Sequence, residues 1–284
     1  MQKKYSYSWK EEDEGKGAKD LLEEIVNDVQ RETVDELVIG NWGEAYEGGG
    51  SRILVDGIVE EAEKFQHLKS LFVGDMDYEE CEVSWIIQTD YSRLWKALPK
   101  LKALCIKGSQ DLKLGKMEHE NLEELTIICG GLPSTVIEEI QKAKLPSLKK
   151  LQLYLGVEDY GFDGGRESIQ KLLKEADFPK LTYLGLVDSE MQDEVAELVL
   201  ESKFMPQLEV LDLSMGTLSD KGGACLLEKL PKFLKLRKLD VHYHYLSDEM
   251  EAKLEALSLE VDVSEQQEAE EWNGELWMNA MLTE

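Results

Sequence analysis

Two aspartates and a histidine have the types and spacing that acid–base or metal chemistry requires. Asp212 and Asp240 each follow a leucine in two similar segments, and His242 lies two residues after Asp240. Paired carboxylates beside an imidazole can exchange protons with a substrate or bind a divalent cation. One hypothesis is therefore a hydrolase or metal-dependent enzyme that uses these three residues. The competing hypothesis is that similar segments place like residues side by side simply because they are copies.

Other residues that could bind a ligand lack the spacing that their chemistry needs. Asp159 and Asp163 precede two glycines, but the ligand pattern and terminal glutamate of a calcium loop are missing. The three glycines at 48–50 are not followed by the Gly-Lys-Ser/Thr of a phosphate-binding loop. No hydrolase, zinc-protease or dinucleotide motif is present either. Apart from the hypothesis on Asp212, Asp240 and His242, the sequence therefore predicts no catalytic residue, no cofactor and no bound metal.

The four cysteines also give no sign of a reactive or metal-binding group. They show no C-x-x-C spacing and have no companion histidines at zinc-ligand intervals. Cys105 and Cys129 have no neighbour that would clearly activate the thiol as a nucleophile. We expect reduced thiols in a reducing compartment, with these two buried or half-buried.

The candidate residues lie within a repeated leucine phrase, which identifies the elements that position them. Leu208, Leu211 and Leu213 form L-x-x-L-x-L, and Ser219 with Asp220 then opens a helical run. Such a strand–turn–helix unit cannot bury its apolar face alone and must stack on neighbours. The same phrase recurs at intervals of 21 to 33 residues, with its middle leucine at Leu71, Leu104, Leu125, Leu151, Leu184, Leu211 and Leu239.

These phrases resemble the leucine-rich repeat family of the ribonuclease-inhibitor-like type, over about Val34 to Val263. The resemblance implies an α/β leucine-rich repeat solenoid, or horseshoe, with a parallel concave sheet and helices on the convex side. The sequence lacks the family's asparagine ladder, and His244 occupies one of the equivalent positions. We therefore expect His244 to hydrogen-bond backbone in the turn, as that asparagine does, instead of binding zinc with His242.

We predict a single domain over residues 1–284. Residues 1–52 would form an N-terminal cap with the first strand, residues 53–263 the repeats, and residues 264–284 a C-terminal cap helix over the open end. Inserts at 75–98, which includes a predicted helix over 84–98, and at 156–165 lengthen two repeats. Whether these inserts cover the concave face is left open. Residues 107–120 show no helical stripe and predict an irregular crossing.

Side chains alternate along a strand, so the residues between the leucines should line the concave side of the sheet. We call this side the open face. Three aromatic residues fall on it, and an Asp–Asp–His group follows toward the carboxyl-terminal repeats. Exposed aromatic side chains on a sheet are typical anchors for a protein partner. The predicted partner-binding residues are Phe72, Tyr154, Tyr183, Asp212, Asp240 and His242.

Charge and composition restrict the class of partner. The chain has 59 acidic and 32 basic residues and a net charge of −27, which repels phosphates and anionic lipids. The first residues lack the apolar core of a signal peptide, and no run has the length of a membrane span. We expect a cytoplasmic protein, similar to intracellular bacterial leucine-rich repeat proteins of unassigned role. It would bind an unidentified protein partner as a non-catalytic scaffold, and would bind no nucleic acid, membrane or small-molecule substrate.

Overall fold

A computed structural model describes residues 1–272 and 275–282 of the chain. Ten strands form one sheet in which every neighbouring pair is parallel. The order of strands across the sheet is the order along the chain, and the sheet does not close on itself. The strands are β1 (Gln2–Tyr5), β2 (Glu36–Ile39), β3 (Ser70–Val73), β4 (Ala103–Lys107), β5 (Glu124–Ile128), β6 (Lys150–Gly156), β7 (Tyr183–Ser189), β8 (Val210–Asp212), β9 (Lys238–Asp240) and β10 (Glu260–Asp262).

Helices connect most of the strands and stack on one another in the same sequence order. From α5 onward, each helix packs on the next one along the chain. A parallel strand with a returning helix, stacked only on its neighbours, defines a repeat solenoid. The helices are α1 (Trp9–Asp13), α2 (Ala18–Asn27), α3 (Gly50–Glu60), α4 (Leu94–Ala97), α5 (Ser134–Gln141), α6 (Gly165–Glu175), α7 (Gln192–Leu200), α8 (Asp220–Lys229) and α9 (Asp248–Glu255).

The leucine phrases form the core, as the sequence predicts. The middle leucines of the seven phrases lie in register across β3 to β9, and each is at most 1% exposed. They share one buried cluster with apolar side chains of the helices. Burying each such side chain contributes about 1.5–3 kcal/mol before the cost of ordering the chain. Residues that alternate with the leucines point to the open face.

The N-terminal segment supplies two strands of the sheet. The sheet begins at β1, which pairs in parallel with β2. Helix α3 begins at Gly50 and therefore starts within the predicted cap. The residue before it, Gly49, has a φ of 89°, a conformation that glycine adopts without a steric penalty.

The predicted helix over residues 84–98 is wrong. This stretch has a 3-10 turn at Val83–Trp85 and the single helical turn of α4, and between them Ile87 pairs with Gln110. The next repeat, which spans only 21 residues between its leucines, crosses irregularly, as predicted for residues 107–120. A connection that short leaves no room for a helix. The preceding repeat contacts this one, because Trp95 Nε1 donates a hydrogen bond to the Leu114 carbonyl (2.7 Å). We attribute the extended form of the preceding repeat to its stacking on this irregular neighbour.

The predicted C-terminal cap helix over residues 264–284 is also wrong in the described part of the chain. Short antiparallel strands, β11 (Glu270–Trp272) and β12 (Glu275–Trp277), take its place. In sequence terms the Asn-Gly pair at 273–274, which lies outside the described residues as do 283–284, disfavours a continuous helix and favours a hairpin.

Residues 278–282, which we call the tail, then return to the middle of the sheet. The Met281 N–H donates to the Met215 carbonyl (2.8 Å) and the Leu282 N–H to Asp188 Oδ1 (2.7 Å). The tail therefore lies against the ends of β7 and β8, away from the last strand of the sheet. Within residues 1–272 and 275–282, no helix combines the length and apolar character needed to span a bilayer.

Candidate functional site

The three predicted aromatic anchors lie at the open face and are half-buried. Phe72 lies on β3 between Val38 and Cys105 of the neighbouring strands. Tyr154 is on β6 opposite Val187 of β7, and Tyr183 begins β7. The leucines that alternate with them are buried beneath the sheet. The open face therefore carries aromatic rings on β3, β6 and β7.

Tyr183 and Asp212 are joined in a hydrogen-bonded group at the centre of this face. The Tyr183 hydroxyl donates to Asp212 Oδ2 at 2.5 Å, and Gln152 Nε2 donates to the same oxygen at 3.2 Å. Gln152 and Asp212 lie on β6 and β8, so the second bond spans the strand between them. Gly185 occupies the intervening position and leaves room for it, since a Cβ there would lie 3.0 Å from Gln152 Cγ.

Burial and charge fix the protonation state of the two tyrosines. Burial, and then the Asp212 carboxylate, raise the pKa of Tyr183 well above its usual value. Burial likewise raises the pKa of Tyr154 to about 12. The Lys150 ammonium lies 4.7 Å from the centre of the Tyr183 ring, in cation–π contact. Both hydroxyls therefore stay protonated, and the Tyr183 ring is held from two sides.

Asp212 and Asp240 are neighbours in register, and Asp262 on β10 extends the row. Each of these carboxylates accepts the same two local hydrogen bonds. Oδ1 accepts the backbone N–H two residues later, at 3.1 Å for Asp212, 3.3 Å for Asp240 and 3.1 Å for Asp262. It also accepts the side chain of that residue, which is Ser214, His242 or Ser264, at 2.6–2.7 Å. Side chains of this kind satisfy backbone where a strand ends.

The structure brings together a different trio from the one expected for an enzyme. Ligand atoms of Asp240, His242 and Asp262 lie within 4.8 Å of one another. Asp212 instead accepts hydrogen bonds from Tyr183, Gln152 and Ser214. Hydrogen bonds from Ser264 lower the pKa of Asp262, and the Lys238 ammonium lies 3.2 Å from Asp240. Sequence reasoning missed Asp262, although Asp262-x-Ser264 copies Asp212-x-Ser214.

Asp188 is a second residue that sequence reasoning missed. It follows the open-face residue Val187, both are fully buried, and Asp188 has a φ of 57°. One carboxylate oxygen accepts the Leu282 N–H of the tail, and the other has no hydrogen-bond partner among the described residues. Burial raises the pKa of Asp188 to about 8. The tail therefore covers the end of the open face at β7, where Ala280 is itself buried.

The remaining candidate residues have structural roles. Burial raises the pKa of the Cys105 and Cys129 thiols to about 12, which disfavours the reactive thiolate. His244 is buried, with Nε2 2.8 Å from the Val263 carbonyl and Nδ1 accepting the Leu246 N–H at 3.1 Å. This confirms the predicted backbone hydrogen bonding of His244. Asp163 accepts the Ser134 N–H at 2.6 Å, at the start of α5.

Fold and site together define an α/β repeat solenoid with an open parallel sheet. A scan against protein-family models and a search of curated proteins find no match. Among solved structures, a Bacteroides fragilis protein is 43% identical, with a TM-score of 0.90 over 99% of this chain and 77% of that chain. The chain therefore belongs to the same family as the Bacteroides fragilis protein. An internalin from Listeria monocytogenes overlaps 79% of this chain and 60% of its own at 13% identity, with a TM-score of only 0.34.

Proposed function

We propose that this protein is a leucine-rich repeat scaffold without catalytic activity, which binds a protein partner on its open face. The observation that carries the proposal is the presence of Phe72, Tyr154 and Tyr183 half-buried on a sheet face that also carries short, paired polar side chains. Aromatic residues supply much of the binding energy at protein interfaces. The L-x-x-L-x-L spacing and the strand–helix alternation support the assignment to the leucine-rich repeat class.

The polar groups at the centre of this face support the same proposal. Tyr183, Gln152 and Asp212 already bond to one another in the free protein, so a partner can cover them without leaving a buried carboxylate unpaired. The ring of Tyr183 is held in place and loses little conformational freedom on binding. All four cysteines are free thiols, which fits our proposal that the partner is met in the reducing cytoplasm.

Affinity capture with matched variants tests the proposal. We would compare the wild type with Phe72→Ser/Tyr154→Ser and with a control, Val29→Ser/Leu234→Ser, which removes two highly exposed apolar side chains outside the sheet. We expect a protein from the source lysate to be retained by wild type and control but lost by the open-face variant. Calorimetry with that purified protein should then show affinity reduced more than about tenfold. Identical retention by all three chains would contradict the proposal.

A metal-dependent function is the second candidate, because Asp240, His242 and Asp262 offer ligand atoms close together. A metal that binds only the folded state must raise its melting temperature. The scaffold proposal predicts no shift with Zn²⁺ or Mn²⁺. A rise that His242→Ala abolishes, and that His67→Ala at a distant histidine preserves, would favour the metal-dependent candidate.

A further inference from the structure

A second group of aromatic side chains lies in the loops that follow β2 and β3. Tyr46, Tyr78 and Trp85 are 49%, 63% and 56% exposed, and we call them the aromatic patch. Their loops are joined, because the Ile87 N–H donates to the Ala45 carbonyl at 3.0 Å. Burial, and then the carboxylates of Glu44, Glu47 and Glu12, raise the pKa of Tyr46, and Cys81 in the turn that carries Tyr78 adds to this effect.

Carboxylates that form no ion pair among the described residues flank the three aromatic residues in the sequence. Segments 42–50 and 74–88, which carry it, contain no lysine or arginine. Elsewhere acidic side chains pair with lysines of neighbouring repeats, as Glu123 does with Lys102 (2.9 Å) and Lys149 (2.6 Å). Within residues 1–272 and 275–282, no ion pair involves the carboxylates of the patch, which are Glu44, Glu47, Asp77, Glu79, Glu80 and Glu82.

The loop that carries Tyr78 is fixed to the sheet before any partner arrives. Lys4 pairs with Asp75 (3.0 Å) at its beginning, and the Lys107 ammonium donates to the Met76 carbonyl. Within the turn, Asp77 and Glu80 each accept the other's backbone N–H, at 2.9 and 3.0 Å. A surface that is ordered in advance loses little entropy when it binds.

We propose that the aromatic patch is a docking site for a lysine- or arginine-rich segment of a protein partner. Cations bind over the faces of tryptophan and tyrosine, and the flanking carboxylates strengthen that attraction. An apolar partner would have to desolvate unpaired carboxylates, and an acidic one would be repelled. The inference goes beyond the proposed function, since it uses no residue of the open face.

Titration of a labelled peptide of alternating lysine and alanine, followed by fluorescence anisotropy, tests this site. A peptide with glutamine in place of lysine serves as the ligand control. We expect the lysine peptide alone to bind, and Tyr78→Ser/Trp85→Ser to weaken binding about tenfold although the protein's charge is unchanged. Both substitutions are at exposed positions, so the melting temperature should stay that of the wild type.

Charge variants separate the site from the general attraction of an acidic protein for a basic peptide. Glu79→Gln/Glu82→Gln should weaken binding about tenfold, whereas Glu268→Gln/Glu271→Gln, an equal loss of charge far along the chain, should change it less than about twofold. Equal effects of the two charge variants would overturn the proposal. So would undiminished binding by Tyr78→Ser/Trp85→Ser, or no binding of the lysine peptide to the wild type.

Discussion

At the scale of single residues, the open face depends on one position without a side chain. Gly185 lets Gln152 reach Asp212 across a strand, and a Cβ there would also lie 3.2 Å from Tyr183 Cε1. We expect Gly185→Ala to lower the free energy of unfolding by about 1–3 kcal/mol, because it crowds both side chains and breaks the bond. Denaturant unfolding measures this loss. The same substitution in a Gln152→Ala background should cost less, and an unchanged cost would contradict the crowding argument.

The buried carboxyl of Asp188 predicts a pH dependence of stability. Its pKa of about 8 exceeds the ordinary value of 3.8, so the folded state binds the proton more tightly than the unfolded state. The contribution to stability is complete below about pH 4 and is lost as the pH rises to about 8. Asp188→Asn, which cannot ionise, should therefore gain stability relative to the wild type across that window. The gain should be up to about 1.4 kcal/mol per pH unit, measured by thermal unfolding.

Truncation after Trp277 provides the control, because it removes the tail and with it the Leu282 N–H that contacts this carboxyl. Burial is the main cause of the raised pKa of Asp188, so access of water should lower that pKa even though the N–H donors of the tail are lost. The pH-dependent gain in stability from Asp188→Asn should then be smaller in the truncated chain than in the full chain. A gain of the same size in both chains would show that the tail does not bury Asp188.

At the scale of elements, carboxylates also link one helix to the next. Asp193 of α7 accepts the Ser219 N–H (2.9 Å) and hydroxyl (2.7 Å) at the start of α8, and the Gly222 N–H (2.9 Å). Asp220 accepts the Ser247 N–H and hydroxyl before α9, both at 2.8 Å. These bonds satisfy backbone donors that a helix start leaves free. They couple successive repeats on the helical side of the solenoid.

Removing one of these links should destabilise the carboxyl-terminal repeats. We expect Asp193→Ala to lower the free energy of unfolding by about 1–3 kcal/mol, since it leaves three donors at the start of α8 without their acceptor. The neighbouring Glu194→Ala should change stability little, because it removes only an exposed ion pair with Lys221. If urea unfolding showed that both variants lower the free energy of unfolding equally, the claim that the Asp193 carboxylate links α7 to α8 would be contradicted.

The sequence predicts these elements well where a local pattern determines them. The leucine phrases and α8 occur where the L-x-x-L-x-L spacing and the Ser219–Asp220 helix start indicate. The helix over 84–98 fails because its partner across the stack is an irregular crossing, and stacking overrides local preference. The cap-helix prediction fails because it overlooks the Asn-Gly pair at 273–274, which in sequence terms disfavours a continuous helix.

At the scale of the whole molecule, the backbone of each strand in the ten-stranded sheet pairs with the strands before and after it in the chain. Stability of such a stack is a sum of units and neighbour contacts, so damage stays local. Leu211→Asp places a charge where the native side chain is fully buried, and we expect exchange of amide hydrogens to rise first in β7 to β10. Hydrogen exchange with mass spectrometry measures this, and a uniform rise from β1 onward would contradict the local model.

The functional face is only partly predictable from the sequence. Alternation along the strands places Phe72, Tyr154 and Tyr183 on one side, because that depends on local geometry alone. The Tyr183–Asp212 bond and the contact of Leu282 with Asp188 join residues 29 and 94 positions apart. Such contacts depend on how the repeats stack and on where the tail docks, and a local sequence pattern predicts neither.

Hydroxyl-radical footprinting of the protein with its captured partner tests the central claim most directly, since aromatic side chains report their own exposure. If the open face receives the partner, oxidation of Phe72 and Tyr154 should fall on binding, while that of Leu234, outside the sheet, should stay the same. Unchanged oxidation of Phe72 and Tyr154, with protection confined to the helices, would contradict the account.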